Sequence, residues 1–373
     1  MTTILIGGPI RQNPQILSAY LISLKLLETD GFDVQYFFVD DNESYLSSQL
    51  LQGFAKYNNA TIVSGEQSEI SYQKTTHSDP HWNEDLIWKV ARYRNLLIEQ
   101  CLKENYDGLF MVDSDIILSP PTLKHLIATK KDIISEIFWT KWRENESAMP
   151  QVWMYNEYDY APSTLPEATR NKIGSELMQK WQQPGIYPVG GLGACTYFSR
   201  EALGKGVNYN RIPNLTFWGE DRHFSIRAGA LGIPLFVDTH YPALHLFNQQ
   251  QFTSFDNLST IYNDPEKQTL LLIIQVVITF FTISAETTGT ELNDLFSPRH
   301  QTKHTQARIR SVKQTQARGI QMFCLPFATK QLDDRTHQID FIQVALTPNN
   351  SKTHTNRVRV VRFDDGLEIQ LNK

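Results

Sequence analysis

Two aspartates one residue apart, Asp113 and Asp115 with Ser114 between them, directly follow the apolar run Leu109-Phe110-Met111-Val112. Carboxylates on a turn that leaves a buried strand can hold a hard divalent cation through oxygen ligands and leave coordination positions for a diphosphate. Such a cation would act as a Lewis acid on charge that grows on a leaving group. Aspartate is also common in ordinary turns, so the pair alone reads equally as a solvated loop or a helix cap. The apolar strand before it favours the first alternative, because ligands of open α/β sheets bind at the carboxyl ends of strands.

Three further groups could take part. Glu220 and Asp221 follow Gly219 in Phe217-Trp218-Gly219-Glu220-Asp221-Arg222-His223-Phe224. One of these acids could deprotonate a hydroxyl within hydrogen-bond reach; both could instead complement the dipole at a helix start. His245, in the segment YPALHLF, offers an imidazole to a manganese-type ion, with His240 as a nearby competitor. The run Gly190-Gly191-Leu192-Gly193-Ala194-Cys195 lacks side chains that would keep a ligand away from the backbone, and it also reads as a tight strand turn.

Elements that would position these residues can be read from the pattern. Short apolar runs alternate with amphipathic stretches from Thr2 to about Phe247, which predicts helices on a mostly parallel sheet. Strands are expected at 3–6, 34–39, 109–112, 132–138 and 235–238, and helices at 14–27, 86–103 and 122–129. The segment 141–184 is rich in Trp, Tyr, Glu and Pro with weak periodicity. It is expected to be an insertion of loops and short helices over the sheet edge with a role in acceptor recognition, and Trp139, Trp142, Trp153 and Tyr155 read either as a ligand-stacking surface or, as aromatic clusters more often do, as core.

Beyond about Gln249 the composition changes, and short alternating segments such as 341–346 and 358–363 predict a separate β-rich module of unknown role. The division expected is 1–250 for the catalytic domain and 265–373 for the module. Leu270 to Ile283 is nearly all apolar, but too short to span a membrane; its β-branched and aromatic content predicts a buried strand or two strands meeting at a bend. Arg299 to Arg318 is polar and basic and is expected to be an exposed loop or strand edge.

Composition excludes several function classes. Of 373 residues 20% are charged and 41% apolar, an ordinary globular balance. A net charge of −5 disfavours nucleic acid as a partner. Three scattered cysteines without CxxC spacing suggest neither a disulfide framework nor a zinc site and fit a reducing, cytoplasmic setting. The N-terminus has no basic leader and reads as a first strand, and no transmembrane segment is expected.

The order Gly8-Pro9-Ile10-Arg11, FFVDDNES, ARYRN, LFMVDSDIIL, PVGGLGACTYFSREAL, FWGEDRHF and YPALHLF resembles GT-A glycosyltransferases of the broad family 2 kind. The resemblance implies a GT-A nucleotide-diphospho-sugar transferase fold with a C-terminal β-rich module. It implies that Asp113 and Asp115 are the metal-binding DxD, with His245 the C-terminal metal histidine for Mn2+ or Mg2+. Glu220-Asp221 would be the xED motif, with Asp221 the base. Pro9, Arg11, Asp40 and Asp41 would line the nucleotide-base pocket, and Arg94 would approach the DxD loop or diphosphate. Ser114, Gly191 and Gly193 complete the expected donor site.

The implied activity is transfer from a UDP- or GDP-sugar to a glycan, lipid or protein hydroxyl, inverting at the anomeric carbon. The QxxRW segment of processive synthases is absent, which points to single addition. The rival readings are a sugar-phosphate nucleotidyltransferase and a catalytically dead carbohydrate-binding protein, and the C-terminal module could serve dimerisation or acceptor docking.

Overall fold

The computed structural model describes residues 1–66, 83–141, 146–216, 219–246, 258, 264–284, 287–296, 298–347, 350–364 and 366–371. Trp142, Phe217, Trp218 and Phe247, named above, lie outside the described residues. By internal contacts the chain divides into two units, residues 1–12, 27–43 and 58–251, and residues 13–26, 44–57 and 252–373. Helices α1 (Pro14–Lys25) and α2 (Tyr45–Tyr57) therefore count with the C-terminal strands.

The first unit is built on a mixed sheet ordered β3-β2-β1-β4-β11-β6-β12-β5. Its strands are β1 (Thr2–Ile10), β2 (Phe32–Asp40), β3 (Ala60–Ser64), β4 (Gly108–Val112), β5 (Ile116–Ile117), β6 (Ile133–Thr140), β11 (Cys195–Ser199) and β12 (Leu235–His245). The run β3-β2-β1-β4 is parallel, as is the pair β6-β12, while β11 is antiparallel to both β4 and β6. Strands buried on both faces must be continuously apolar. Accordingly Ile4, Leu5, Ile6 and all of Gly108–Val112 are buried.

Strand β1 lies between β2 and β4, so the chain order reverses there, and ligands of open α/β sheets bind beyond the carboxyl ends of strands at such a point. Those ends of β1 and β4 deliver Arg11 and Asp113. Because β11 is antiparallel to both neighbours, β6 and β12 run the same way as β4, and their ends deliver Thr140 and His245 to the same edge.

Helix α3 (Glu84–Lys103) covers this sheet. Asn83 caps it by accepting a hydrogen bond from Leu86 N at 2.9 Å, and Glu84 and Asp85 complement its dipole. Leu97 and Cys101 are wholly buried on its inner face; burying one leucine is worth about 1.5–3 kcal/mol. Helices α4 (Thr122–Ala128), α6 (Arg200–Gly204) and α7 (Glu220–Ala230) follow the strands.

The insertion contains strands β7 (Met149–Pro150) and β8 (Val152–Trp153), helix α5 (Glu167–Trp181), and strands β9 (Ile186–Val189) and β10 (Gly191–Leu192). A 15-residue helix is longer than the short helices expected. Its periodicity is weak because only Trp181 is buried, so most of its surface faces solvent and demands no apolar stripe.

The second unit carries an antiparallel sheet ordered β13-β14-β15-β16: β13 (Gln321–Gln331), β14 (Thr336–Thr347), β15 (Asn350–Phe363) and β16 (Gly366–Leu371). Within this unit Ser18 Oγ donates to Pro326 O, and a Cβ on Gly53 would lie 3.1 Å from the Phe327 ring. Arg357 lies 4.6 Å over the Tyr57 ring and pairs with Asp340 through Nη2 at 3.2 Å.

Two expectations for this unit are overturned. The apolar segment predicted as strand is helix α8 (Pro265–Phe281). Asp264 caps it by accepting from Glu266 N at 2.9 Å, Pro265 fits its first turn, and these start signals outweigh the β-branched content. Leu270, Ile273, Ile274, Val277 and Phe281 are buried at helical spacing, whereas Leu272 is 54% exposed. After the short α9 (Gly289–Asp294), the polar stretch predicted as loop is helix α10 (Lys303–Ala317). Thr302 caps its start, accepting from Thr305 N at 3.2 Å, and Gly319 at φ 64° follows its end. No helix among the described residues is long and apolar enough to cross a membrane.

Candidate active site

The turn after β4 is set by backbone bonds: Asp113 N donates to Ala194 O at 3.0 Å, and Ile116 N donates to Asp113 O at 3.1 Å. The chain then enters β5, which pairs His245 with Ile116. Leu246 N donates to Asp115 O at 2.8 Å. The end of β12 is thereby fastened beside the DSD turn, and His245 Nε2 lies 3.5 Å from Asp115 Oδ2. On its other side His245 Nδ1 meets Thr140 Oγ1 at 2.8 Å. When Nδ1–H donates to that hydroxyl, the Nε2 lone pair is left toward Asp115, the tautomer a metal ligand requires. Phe138 packs edge-on against the ring, with centroids 5.3 Å apart.

Asp113 faces a different partner. Arg94, buried in the middle of α3, places Nη2 3.1 and 3.0 Å from the two Asp113 oxygens. Its Nη1 is 3.3 Å from Glu220 Oε1 and also donates to Asp221 Oδ1. The guanidinium carbon stands 5.3 Å over the Tyr209 ring. Burial opposes the charge on Arg94, but Asp113, Asp221 and Glu220 hold its pKa well above the ordinary value. One arginine thus serves three carboxylates, and with Asp115 nearby the cluster keeps excess negative charge. Burial pushes the Asp113 carboxyl up to about 6 against the pull of Arg94, with Asp115 and Asp221 adding to the rise. Glu220 and Asp221 are raised by burial in the same way, again against Arg94. Asp113, Asp115 and His245 do not form one group with all donor atoms within 4.8 Å of one another, because Asp113 is turned to Arg94.

Glu220 and Asp221 occupy the first turn of α7, as the dipole reading expected, and also border the cleft. Gly219 precedes them at φ 96°, ψ 155°, backbone that residues with a Cβ rarely adopt. A Cβ there would lie 2.9 Å from Tyr158 Oη. Tyr158 comes from the insertion, packs tilted against Trp153 at 4.5 Å between ring centroids, and has its phenol pKa raised by burial and then by Asp221 and Glu220. Arg222, also buried, donates to Asn156 O and, at 2.8 Å, to Thr216 O, which ties the insertion to α7.

At the ends of β1 and β2 the expected base-pocket residues are neighbours. Pro9 pairs with Val39, Ile10 pairs with Asp40, and Asp41 N donates to Ile10 O at 2.9 Å. Arg11 lies 3.6 Å from Asp41 and pairs with Glu43. Asp40 Oδ1 accepts from Asn42 Nδ2 at 2.7 Å. Sequence reading missed two members, both on α3: Lys89 Nζ at 2.6 Å and Tyr93 Oη at 3.1 Å from Asp41 Oδ1. Lys89, Tyr93 and Arg94 sit within one and a half turns, and a buried Lys and Arg on an otherwise apolar helix face was the signal available.

The glycine run has two kinds of member. A Cβ on Gly191 would lie 2.0 Å from the Trp153 indole, and one on Gly190 would lie 1.9 Å from Met154 O, so close packing of β10 on β8 occupies the space assigned above to a ligand. A Cβ on Gly193 would meet only ordinary contacts, among them Asp221 Oδ2 at 3.9 Å. Ser114 is buried in the DSD turn.

Comparison with known proteins adds the following. The Anp1 family model, that of glycosyltransferase-like mannosyltransferases, matches residues 2–184. No curated protein sequence matches the chain. Among solved structures, Staphylococcus aureus TarS (residues 1–349) is similar at 14% identity and TM-score 0.40 over 70% of this chain and 63% of that one. The same protein in complex with UDP-GlcNAc gives 15% identity and TM-score 0.38, over 74% and 66%. The mannosyltransferase PcManGT from Pyrobaculum calidifontis, in complex with GDP-Man and Mn2+, gives 9% identity and TM-score 0.39, over 67% and 58%. The chain thus spans less than two thirds of the length of each of these three. Residues 2–184, nearly half of the chain, are thus similar to glycosyltransferase-like mannosyltransferases of the Anp1 family, and they lie on a mixed α/β sheet.

Proposed function

We propose that the chain transfers a sugar from a UDP- or GDP-sugar to a hydroxyl of a glycan, lipid or protein, with inversion and one addition per encounter. The observation that carries this reading is the gathering of Asp113, Glu220 and Asp221 around Arg94 at the carboxyl edge of the sheet, with the Asp115–His245 pair at the same turn. The donor set suits a hard divalent ion of the Mn2+ or Mg2+ kind. Carboxylate oxygens and one imidazole are present, and Thr140 orients that imidazole. Asp115 and His245 would hold the ion, with Asp113 beside them. When bound, it would offset the charge on the departing nucleoside diphosphate.

The chain's own groups account for the rest. Arg11, Asp40 and Asp41 form the floor for the nucleotide base and ribose, stiffened by Lys89 and Tyr93. Arg94 fixes Asp113 and Asp221 at once, so the donor end and the acceptor end of the cleft share one rigid cation. Asp221, 25% exposed and facing Gly193, takes the proton of the acceptor hydroxyl as that oxygen attacks the anomeric carbon. Burial raises its proton affinity, which suits a base. The cavity of about 390 Å³ lined by Met149, Asp159, Tyr160, Arg170 and Met178 lies in the insertion and is the proposed acceptor approach.

A thermal-shift screen of nucleotide sugars with and without Mn2+ tests the reading, since a ligand that binds only the folded state raises apparent stability. The proposal expects a Mn2+-dependent shift with one nucleotide class and slow donor hydrolysis. Binding without hydrolysis or transfer to any acceptor would favour a binding protein instead.

A further inference from the structure

Away from the DSD turn, the sheet edge carries a second gathering of ligand-type side chains. Strand β12 is in register with β6 as far as Asp238, opposite Glu136, and then departs from it until Ala243 meets Phe138. A bulge of this kind bends a strand and re-aims its side chains. Here it turns His240 back on Asp238: His240 N donates to Asp238 Oδ1 at 2.9 Å, and His240 Nδ1 lies 3.1 Å from both carboxylate oxygens. From α4, His125 Nε2 reaches Asp238 Oδ2 at 3.0 Å. The two rings are 4.7 Å apart between centroids, and Tyr241 closes one side at 5.2 Å from His125.

We propose that His125, Asp238 and His240 form a second divalent-cation site, of the zinc or cobalt kind, built from residues that the donor site does not use. Their ligand atoms lie within 4.8 Å of one another, the grouping that Asp113, Asp115 and His245 lack. A tetrahedral ion about 2.0–2.1 Å from each ligand needs ligand atoms about 3.4 Å apart. The observed 3.0–3.1 Å separations from Asp238 require shifts of a few tenths of an ångström. Two imidazoles and one carboxylate favour zinc, cobalt or nickel over magnesium.

A second observation points the same way. Glu136, opposite Asp238, is fully buried; its Oε1 accepts from Tyr241 N at 3.3 Å, and its carboxyl shares a hydrogen bond with Asp238. Asp238 is likewise 0% exposed. Two buried carboxylates across one register position are costly unless a shared proton or a nearby positive charge offsets them. A cation at the mouth supplies it, and His125 and His240, 28% and 35% exposed, leave a path from solvent. Its occupancy would fasten α4 to the bulge that precedes His245 on the same strand.

The test uses the full chain carrying Asp115→Asn, so that cobalt at the donor site is suppressed, freed of metal by chelation and titrated with CoCl2 alone. The proposal expects one equivalent of Co2+ with the intense visible absorption of a low-coordinate ion, lost in His125→Gln/His240→Gln added to that background. The single His240→Gln, at a part-exposed position, serves if the double variant does not fold, and is expected to weaken Co2+ binding at least tenfold. No Co2+ bound by the Asp115→Asn parent, or the same stoichiometry and spectrum in the folded histidine variants, overturns the proposal. Neither result depends on nucleotide binding or transfer, so the transferase reading is tested apart from it.

Discussion

Arg94 and Asp113 meet from different elements, helix α3 and the turn after β4, with Nη2 3.0 Å from Oδ2 on a guanidinium that is almost wholly buried. Removing one partner of a buried ionic cluster leaves uncompensated charge and costs about 3–5 kcal/mol. Arg94→Met is therefore expected to lower the urea midpoint with little change in slope. Arg94→Lys is expected to recover little, because one ammonium cannot reproduce contacts to three carboxylates. A midpoint in Arg94→Met equal to wild type would show that the cluster is not held through Arg94.

Asp221→Asn keeps the shape of the first turn of α7 and removes the base. Donor binding should stay within about twofold of wild type while turnover falls about 10²–10⁴-fold, the usual contribution of general base catalysis. Steady-state and binding measurements on the same preparation separate the two effects. Unchanged turnover rejects Asp221 as the base.

Gly219→Ala places a Cβ at φ 96° and 2.9 Å from Tyr158 Oη. This positive-φ, extended-ψ backbone, adopted almost only by glycine, alone costs about 1–3 kcal/mol. Because the next two residues are Glu220 and Asp221, turnover is expected to fall together with stability. A variant with wild-type melting and wild-type turnover would contradict the strained cap.

The raised Asp113 carboxyl fixes a pH dependence. Its folded pKa, about 6, lies above the ordinary 3.8, so the metal-free fold holds an extra proton between these values. This group's contribution to stability is then greatest at low pH and is lost as pH rises through that window. Metal binding must displace the proton. Mn2+ affinity, followed by calorimetry from pH 7.5 to 5, is expected to fall below about pH 6 with proton release. Affinity flat across that range would exclude Asp113 from the linkage.

How much of this could be read in the sequence depends on how local each signal is. The DSD turn was legible because four apolar residues, Leu109 to Val112, end on it, and the pairing of Asp221 with a helix start was legible from Gly219. His245 could be named, but not its Thr140 partner, which is 105 residues away and joins it only through the β6-β12 pairing. Lys89 was passed over because its partner Asp41 lies on another element. Helix α8 was misread because β-branched and aromatic residues fit a buried strand as well as a buried helix, and the deciding information lay in Asp264-Pro265-Glu266 just outside the apolar run. At Gly191 the residue type was read toward a ligand, and the indole of Trp153 supplies the reason instead.

The most direct test of the central claim is calorimetric titration of UDP and GDP into wild type and Asp115→Asn, each with and without Mn2+. The account predicts that wild type binds one of the two only when Mn2+ is present and that Asp115→Asn, folded by circular dichroism, loses that Mn2+-dependent binding. Equal binding with and without Mn2+, or binding by Asp115→Asn that matches wild type, would contradict it.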